Sequence, residues 1–504
     1  MPVFKKIIRN AFANGVGFAV EAITAFCMLP YIIHRIGESA YGIWALTISL
    51  TGYMGILNLG LRPAINKYVA QYHVLGQQQK MRDLVQASLF CYLICGAIVL
   101  LLSLVMAVYV NILFNIPLDY KAAAPILILL VGMQVAAGLV AVIYGGVISG
   151  LQRYDINNGI EIFVMLSRTS IILIFLGKYP NIYTIAAAHF STTIIGYIAT
   201  MIIARNISGI KGITLFKLPP KEILYTIFSF SIISFVIGIV GRIMTYIDSV
   251  IIASFLTTTA VTYYTVGSRL VKYSKDLLEV LMNVLAPATS EMDAQHDGNI
   301  GNLYFYSAKI CSLISYPILS FLIIMGDQFL LLWIGTIYPD SYLVMLLLSI
   351  GGIILFPQLS AIPILYGLAR HKIIMWLSII EGFVSVTLSL LLCKYYGVIG
   401  VAIGLAFPKA LLGGVAYPIY LSRVIHVSLS DLFIKCYIRS IAASFPILIA
   451  LLFFKYYMKM NTWPVFLCQF VICSTIHVFS SWIIGLTTDE RKKIIDIIYS
   501  SQKR

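Results

Sequence analysis

Asn58, Arg62 and Asn66 stand four residues apart in an otherwise apolar stretch running from Gly37 to Tyr72. On a helix that spacing puts all three on one face, and Thr47, Thr51 and Gly55 extend the stripe toward the N-terminus. A guanidinium at the end of a polar seam is suited to holding an anion, most simply a phosphate or pyrophosphate. A second stripe, Ser231, Ser234, Gly238, Arg242, Thr245 and Ser249, repeats at spacings of three and four, and Arg269 and Lys272 follow in the next apolar run. With Lys409, the set expected to bind substrate is Arg62, Arg242, Arg269, Lys272, Asn58, Asn66 and Lys409. The competing reading pairs these cations with carboxylates in the fold. It suits Lys272 with Asp276 and Lys275 with Glu279, each four apart, better than Arg62, whose own helix carries no acid.

Charges inside a membrane cost about 2.5 to 3.5 kcal/mol each on insertion scales and usually face an interior or a wet cavity. Glu21 and Asp248 read equally as protonation or cation sites, coupling transport to H+ or Na+, and as counter-charges for the arginines. Glu161 and Arg168 lie two turns apart and are expected to form a structural ion pair or a helix-docking contact; Lys309 is expected to snorkel to the nearer surface. There is no GxxxxGK[ST] and no HExxH, and the cysteines form no CxxC, so no nucleotide, metal or other cofactor is expected. Gly146 and Gly150 make one GxxxG, a signal for close helix packing.

The elements that must position these groups follow from composition. The chain has 504 residues, 60% hydrophobic and 11% charged, with a mean hydropathy of +0.94. No soluble domain of this size carries such a surface. Apolar runs of about 20 residues, each able to cross about 30 Å of hydrocarbon, recur from end to end and number fourteen. The fold class is therefore an all-α polytopic membrane protein. Span two covers residues 40–72 as one rod. The net charge of +15 reports topology and not nucleic-acid binding: Lys5, Lys6, Arg9, Lys80, Arg82, Arg153, Arg205, Arg370, Lys372, Arg423 and Arg491 fall on one side. Arg35, Lys121, Lys178, Lys394, Lys455 and Lys459 fall on the other. The positive-inside rule then places both termini in the cytoplasm.

The second half repeats the first. Gly150 to Tyr154 (GLQRY) returns 217 residues later as Gly367 to His371 (GLARH), and Ile160 to Val164 (IEIFV) returns at an offset of 220 as Ile380 to Val384 (IEGFV). Lys178 and Tyr179 return as Lys394 and Tyr395. Such an internal repeat of six spans, an even number, gives two parallel copies. The expected division is an N-lobe of spans one to six (1–205), a cytoplasmic linker (206–222) with an interfacial segment, and a C-lobe of spans seven to twelve (223–425). An extra hairpin of spans thirteen and fourteen (426–485) and a cytoplasmic tail (486–504) complete the chain.

Gly37, Tyr41 to Trp44 (YGIW), Leu57 to Leu61 (LNLGL) and Asn66 to Ala70 (NKYVA) resemble the polysaccharide-export flippases. These are the O-antigen and capsule repeat-unit translocases of the multidrug, oligosaccharidyl-lipid and polysaccharide exporter superfamily. Where that family usually shows an Asp, this chain has Asn58. The resemblance implies a V-shaped pair of six-helix lobes around a cationic cavity, rocking between inward-open and outward-open states. It also implies a polyprenyl-pyrophosphate-linked oligosaccharide as substrate. A bacterial plasma-membrane monomer among membrane lipids, working beside a polysaccharide polymerase and glycosyltransferases and without nucleic acid, is the expected setting. The alternatives are a lipid II flippase, which shares the span count, and a drug or organic-cation exporter of the same superfamily, for which twelve spans and an acidic or aromatic cavity are expected. A membrane glycosyltransferase would need a large loop that the chain lacks.

Overall fold

A computed structural model describes the backbone over residues 2–58, 61–209, 221–295, 299–336 and 338–492. The side chains of 2–16, 18, 58, 63, 221–234, 237 and 435 lie outside the described set. The described backbone is helical throughout its ordered elements. Among the described residues, twelve segments, from Ala19–Ile36 to Trp463–Gly485, are long and apolar enough to cross a membrane. Fourteen spans are compatible with that number for two physical reasons. The segment His371–Val424 reverses direction at Gly397, and the 25-residue helix Thr258–Met282 is long enough to span but is crowded with charge.

The chain forms two compact units, Met1–Thr262 and Tyr263–Arg504. The first contains α1 (Pro2–Ile36), α2 (Glu38–Met54), a tight helical turn (Gly55–Asn58), α3 (Leu61–Val74), α4 (Gln78–Leu113), α5 (Ala123–Gly150), α6 (Tyr154–Lys178), α7 (Ile182–Ser208) and α8 (Lys221–Phe255). Its core joins α3, α4 and α5 through Leu61, Ile65, Val69, Leu84, Val85, Tyr92, Val99, Leu139, Ile143 and Val147. Gly146 and Gly150 allow that approach. A β-carbon on Gly150 would sit 2.8 Å from Val69 and 3.0 Å from the Asn66 carbonyl, and one on Gly146 would sit 3.0 Å from Ile65.

The second unit takes most of α9 (Thr258–Met282), α10 (Leu285–Ala294), α11 (Ile300–Ile334), α12 (Pro339–Leu355), α13 (Ala361–Gly367), α14 (His371–Leu411) and α15 (Tyr417–Val424). It ends in α16 (Leu429–Leu432), α17 (Arg439–Tyr457) and α18 (Trp463–Ser480). Wide π-type turns occupy Leu412–Ala416, Phe433–Ile438 and Ser481–Gly485. Gly397 (φ 56°, ψ −133°) has a backbone that a side chain would oppose, and there α14 folds back on itself. Beyond it Gly400 meets the Leu392 carbonyl and Gly404 lies against the Ser389 backbone, so the two legs touch along small residues.

The α17–α18 hairpin is fastened to α11 at both ends. At one end Lys455 Nζ donates to the Ile324 carbonyl (2.6 Å) and contacts Asp327 (3.3 Å), while Gln328 accepts from the Met460 N–H (3.0 Å). At the other end His477 bonds the Leu313 carbonyl (2.7 Å). The Lys309 ammonium, buried in α11, pairs there with Glu490 (2.6 Å). Lys309 therefore does not snorkel: the chain supplies its own counter-charge, so the ammonium need not reach water. Glu490 also accepts from the Thr487 N–H (2.7 Å), capping the short helical turn that begins the tail.

The sequence repeat is visible in the backbone. At Gln152 and Ala369 a non-glycine residue adopts positive φ (58° and 54°). Arg153 N–H bonds the Ile148 carbonyl as Arg370 N–H bonds that of Leu365. Gln152 N–H bonds that of Ser149 as Ala369 N–H bonds that of Tyr366. This is one helix-ending turn built twice, 217 residues apart. The helix preceding it packs alike in both copies: Gly150 against Val69 and Asn66, Gly367 against Thr289 and Ala286. The interfacial segment expected in the linker at 210–220 lies outside the described residues, as does the tail from 493 onward.

Candidate functional site

The polar seam of span two is not one helical face. Helix α2 ends at Met54, a tight turn occupies Gly55–Asn58, and α3 begins at Leu61. Pro63 has no N–H to donate and is tolerated in the first turn of a helix, which accounts for a helix that restarts just before it. Asn58 and Arg62 thus belong to different elements, and the Asn58 side chain lies outside the described residues. Thr47 and Thr51 line nothing: both are buried and donate to carbonyls one turn back, Ile43 (2.8 Å) and Thr47 (2.7 Å). Asn66 donates to the Tyr154 hydroxyl (3.3 Å), a contact joining α3 to α6.

What the break creates is more useful than a stripe. Arg62 falls in the first turn of α3 and is exposed. There the helix N-terminus adds its own attraction for an anion to that of the guanidinium. The helix end that α2 leaves behind is used as well. Arg242, half-buried on α8, donates to the Gly52 carbonyl (3.4 Å), and its guanidinium occupies the space that a β-carbon on Gly55 would fill. Part of its charge therefore serves the carbonyl end of α2. On the same helix Gly238, Gly241 and Thr245 are exposed, so this face of α8 is open in the first unit. Asp248 accepts from the Ser249 N–H (2.6 Å) and lies within electrostatic reach of Tyr53.

One acid of the first unit, Glu161, lies near Arg62. Glu161 on α6 lies within electrostatic reach of both Arg62 and Glu21, and Glu21 of Arg168. Glu161 and Glu21 are both exposed. Of the two expectations for Glu161 and Arg168, an ion pair or helix docking, Arg168 meets the second. The Arg168 guanidinium donates to Thr193 (2.8 Å) and Thr192 (3.4 Å) on α7, which lies closer than a carboxylate two turns away along the same helix. Behind it, His189 bonds Gln134 (2.9 Å) with the Trp44 ring edge-on at 5.4 Å.

The second unit holds Arg269, Lys272 and Lys409. Arg269 lies over the Tyr273 ring at 5.8 Å, and Lys272 is exposed. Lys275 forms the expected bridge with Glu279 (2.5 Å). Glu381, the repeat partner of Glu161, lies within electrostatic reach of Lys409 and Lys275. Both units thus bring a carboxylate on the fifth helix of the repeat (Glu161, Glu381) near a cation on the second (Arg62, Lys275). Sequence reasoning assigned these carboxylates to packing. The signal that could have found them was the recurrence of an acid and a basic second span together.

A family described as "Polysaccharide biosynthesis protein" matches residues 7–293. The chain is 20% identical over 503 residues to the "Uncharacterized membrane protein EpsK" of Bacillus subtilis (strain 168), covering 97% of each. It is 21% identical over 409 residues to the "Putative O-antigen transporter" of Shigella flexneri, covering 79% of this chain and 93% of that one. Among solved structures, the lipid II flippase MurJ in an inward closed conformation superposes with a TM-score of 0.65 at 14% identity, over 94% of this chain and 98% of that one. That likeness shows a shared fold.

Proposed function

The chain belongs to the polysaccharide biosynthesis protein family, a family of membrane transporters, and from that premise we propose that it flips a polyprenyl-pyrophosphate-linked oligosaccharide across the bacterial plasma membrane by alternating access. The observation that carries the reading is Arg62, an exposed cation in the first turn of a helix, where an anionic head group would meet both guanidinium and helix N-terminus. Lys272, Arg269, Lys409 and Arg242 are the other cations proposed to bind substrate, with Asn58 and Asn66. Glu21 and Asp248 are the proposed sites of H+ or Na+ coupling. The working division remains two parallel six-span repeats, 1–205 and 223–425, with the 426–485 hairpin outside them and both termini in the cytoplasm.

Physical chemistry requires such a device. A sugar hydroxyl moved into hydrocarbon without partners costs roughly 4 to 8 kcal/mol, so a head group of several sugars does not cross unaided. An inside-negative potential favours outward movement of an anion by about 2.3 kcal/mol per charge per 100 mV, so transport can proceed without ATP. Complementation tests the proposal: cells lacking their own repeat-unit flippase, given the cognate glycan pathway, should regain surface glycan with the native chain and lose it with Arg62→Ala at matched expression. Failure of the native chain in such a host would overturn the function; success of every alanine variant would overturn the site. The MurJ-like fold favours one alternative, lipid II. Rescue of cells depleted of their lipid II flippase, without rescue of surface glycan, would establish it.

A further inference from the structure

Span ten is broken, and buried polar groups gather at the break. Helix α12 stops at Leu355, a tight turn occupies Phe356–Gln358, and α13 starts at Ala361. Pro357 forces the interruption, because it cannot donate and its ring excludes the carbonyl of Ile353. Crossing the membrane does not require it: at the offset of the repeat, α5 runs through Leu139 and Ile143 as unbroken buried helix.

The groups around the break are buried and incompletely bonded. The Tyr304 hydroxyl on α11 donates to Gln358 Oε1, and the Ser360 N–H faces the Cys311 sulfur, a weak acceptor. The π-type turn Phe433–Ile438 brings the Tyr437 ring within electrostatic reach of Tyr304, Tyr316 and Cys311. Three polar groups here, Gln358 Nε2, Ser360 Oγ and the Tyr437 hydroxyl, have no hydrogen-bond partner among the described residues. Gln358 is 2% exposed and Ser360 0%. Tyr304 and Cys311 are both 0% exposed, and an unsatisfied polar group enclosed in this way is costly.

We propose that these groups enclose a small hydrated chamber that acts as a hinge: water held by Gln358, Ser360 and Tyr437 completes their bonding and lets the Phe356–Ser360 turn exchange partners as α13 moves against α12. Water fits the wall better than an ion does. None of Tyr304, Cys311, Tyr316, Gln358, Ser360, Cys436 and Tyr437 carries a formal charge, so an ion of either sign would go uncompensated. Three unsatisfied polar groups beside one break match the two to four partners that buried water takes. Tight-turn interruptions within helices and π-type turns mark places where helices yield. The hinge does not depend on the identity of the cargo.

The full chain in lipid nanodiscs tests this by X-ray hydroxyl-radical footprinting, in which bound water produces the radical locally. Tyr304 and Tyr92 are both fully buried, yet Tyr304 should be labelled several-fold faster than Tyr92. Amide exchange over 356–361 should run several-fold faster than over 342–355. In the double variant Ser360→Ala/Tyr437→Phe, which leaves the Tyr304–Gln358 bond in place, both quantities should fall toward their references. Tyr304 labelling no faster than that of Tyr92 in the native chain would mean a dry chamber, and exchange over 356–361 no faster than over 342–355 would mean a rigid break. Either result overturns the proposal, whether or not the double variant folds.

Discussion

Arg62 and Glu161 give the sharpest residue-scale expectations. If Arg62 holds an anion, Arg62→Lys should keep part of the activity, because a point charge survives without the bidentate fork, while Arg62→Ala should abolish it. Glu161→Gln removes the carboxylate that acts on Arg62. It should therefore tighten binding of a pyrophosphate head group and slow its release, read as a lower apparent KM with a lower turnover in proteoliposomes. Lys309 and Glu490 predict stability. Deleting the Glu490 carboxylate leaves a buried ammonium without compensation, so Glu490→Ala should cost about 3 to 5 kcal/mol and lower Tm. Burial pushes the Glu490 carboxyl up, but the Lys309 ammonium and the Thr487 N–H outweigh it and hold it below the usual carboxylate range. A depressed folded-state value means that its contribution is fully present above the ordinary glutamate value of about 4.3. The contribution is lost as pH falls through the lower, folded-state value. Limited proteolysis of the tail should accordingly be slow at neutral pH and quicken only in acid; a rate flat with pH would count against the pair. None of this was legible in one dimension, because Lys309 and Glu490 lie 181 residues apart.

At the scale of elements, the turns and breaks decide more than the helices. Ala369 adopts a left-handed conformation that costs an L-residue roughly 1 to 2 kcal/mol. Ala369→Gly should raise Tm in a calorimetric or fluorescence melt by relieving part of that strain, offset by the greater backbone entropy of glycine. Gly397 predicts the opposite. At φ 56° and ψ −133° a β-carbon is strained by about 1 to 3 kcal/mol, so Gly397→Ala should lower Tm, and an unchanged melt would refute the reversal at that residue. Fifth-helix carboxylates and the helix-ending turns could be anticipated from the duplicated GLQRY/GLARH and IEIFV/IEGFV texts, since both depend on local chain. The break in span two could not be read from its apolar periodicity, which runs through the turn. Pro63 was the available signal, and it marks the restart of the helix without giving the angle at which α3 leaves.

For the whole molecule, an anionic cargo moving outward predicts electrical dependence: collapsing an inside-negative potential in proteoliposomes should slow net flipping. Insensitivity would mean that charge does not move with the head group, or that an accompanying ion balances it. Composition alone determined that this chain is an all-α membrane protein, because a mean hydropathy of +0.94 over 504 residues leaves no soluble alternative. Internal text alone anticipated the helix-ending turn that recurs at Gln152 and Ala369, because equal local residues favour equal backbone turns. The tertiary structure decided the neighbours of each charge. Arg242 turned to the carbonyl end of α2, Arg168 to the threonines of α7, Lys309 to the tail, and Glu161 toward Arg62. Periodicity states which face of a helix a residue occupies, but in a membrane a charge is satisfied by whatever the neighbouring helices present, and only packing brings those groups within reach.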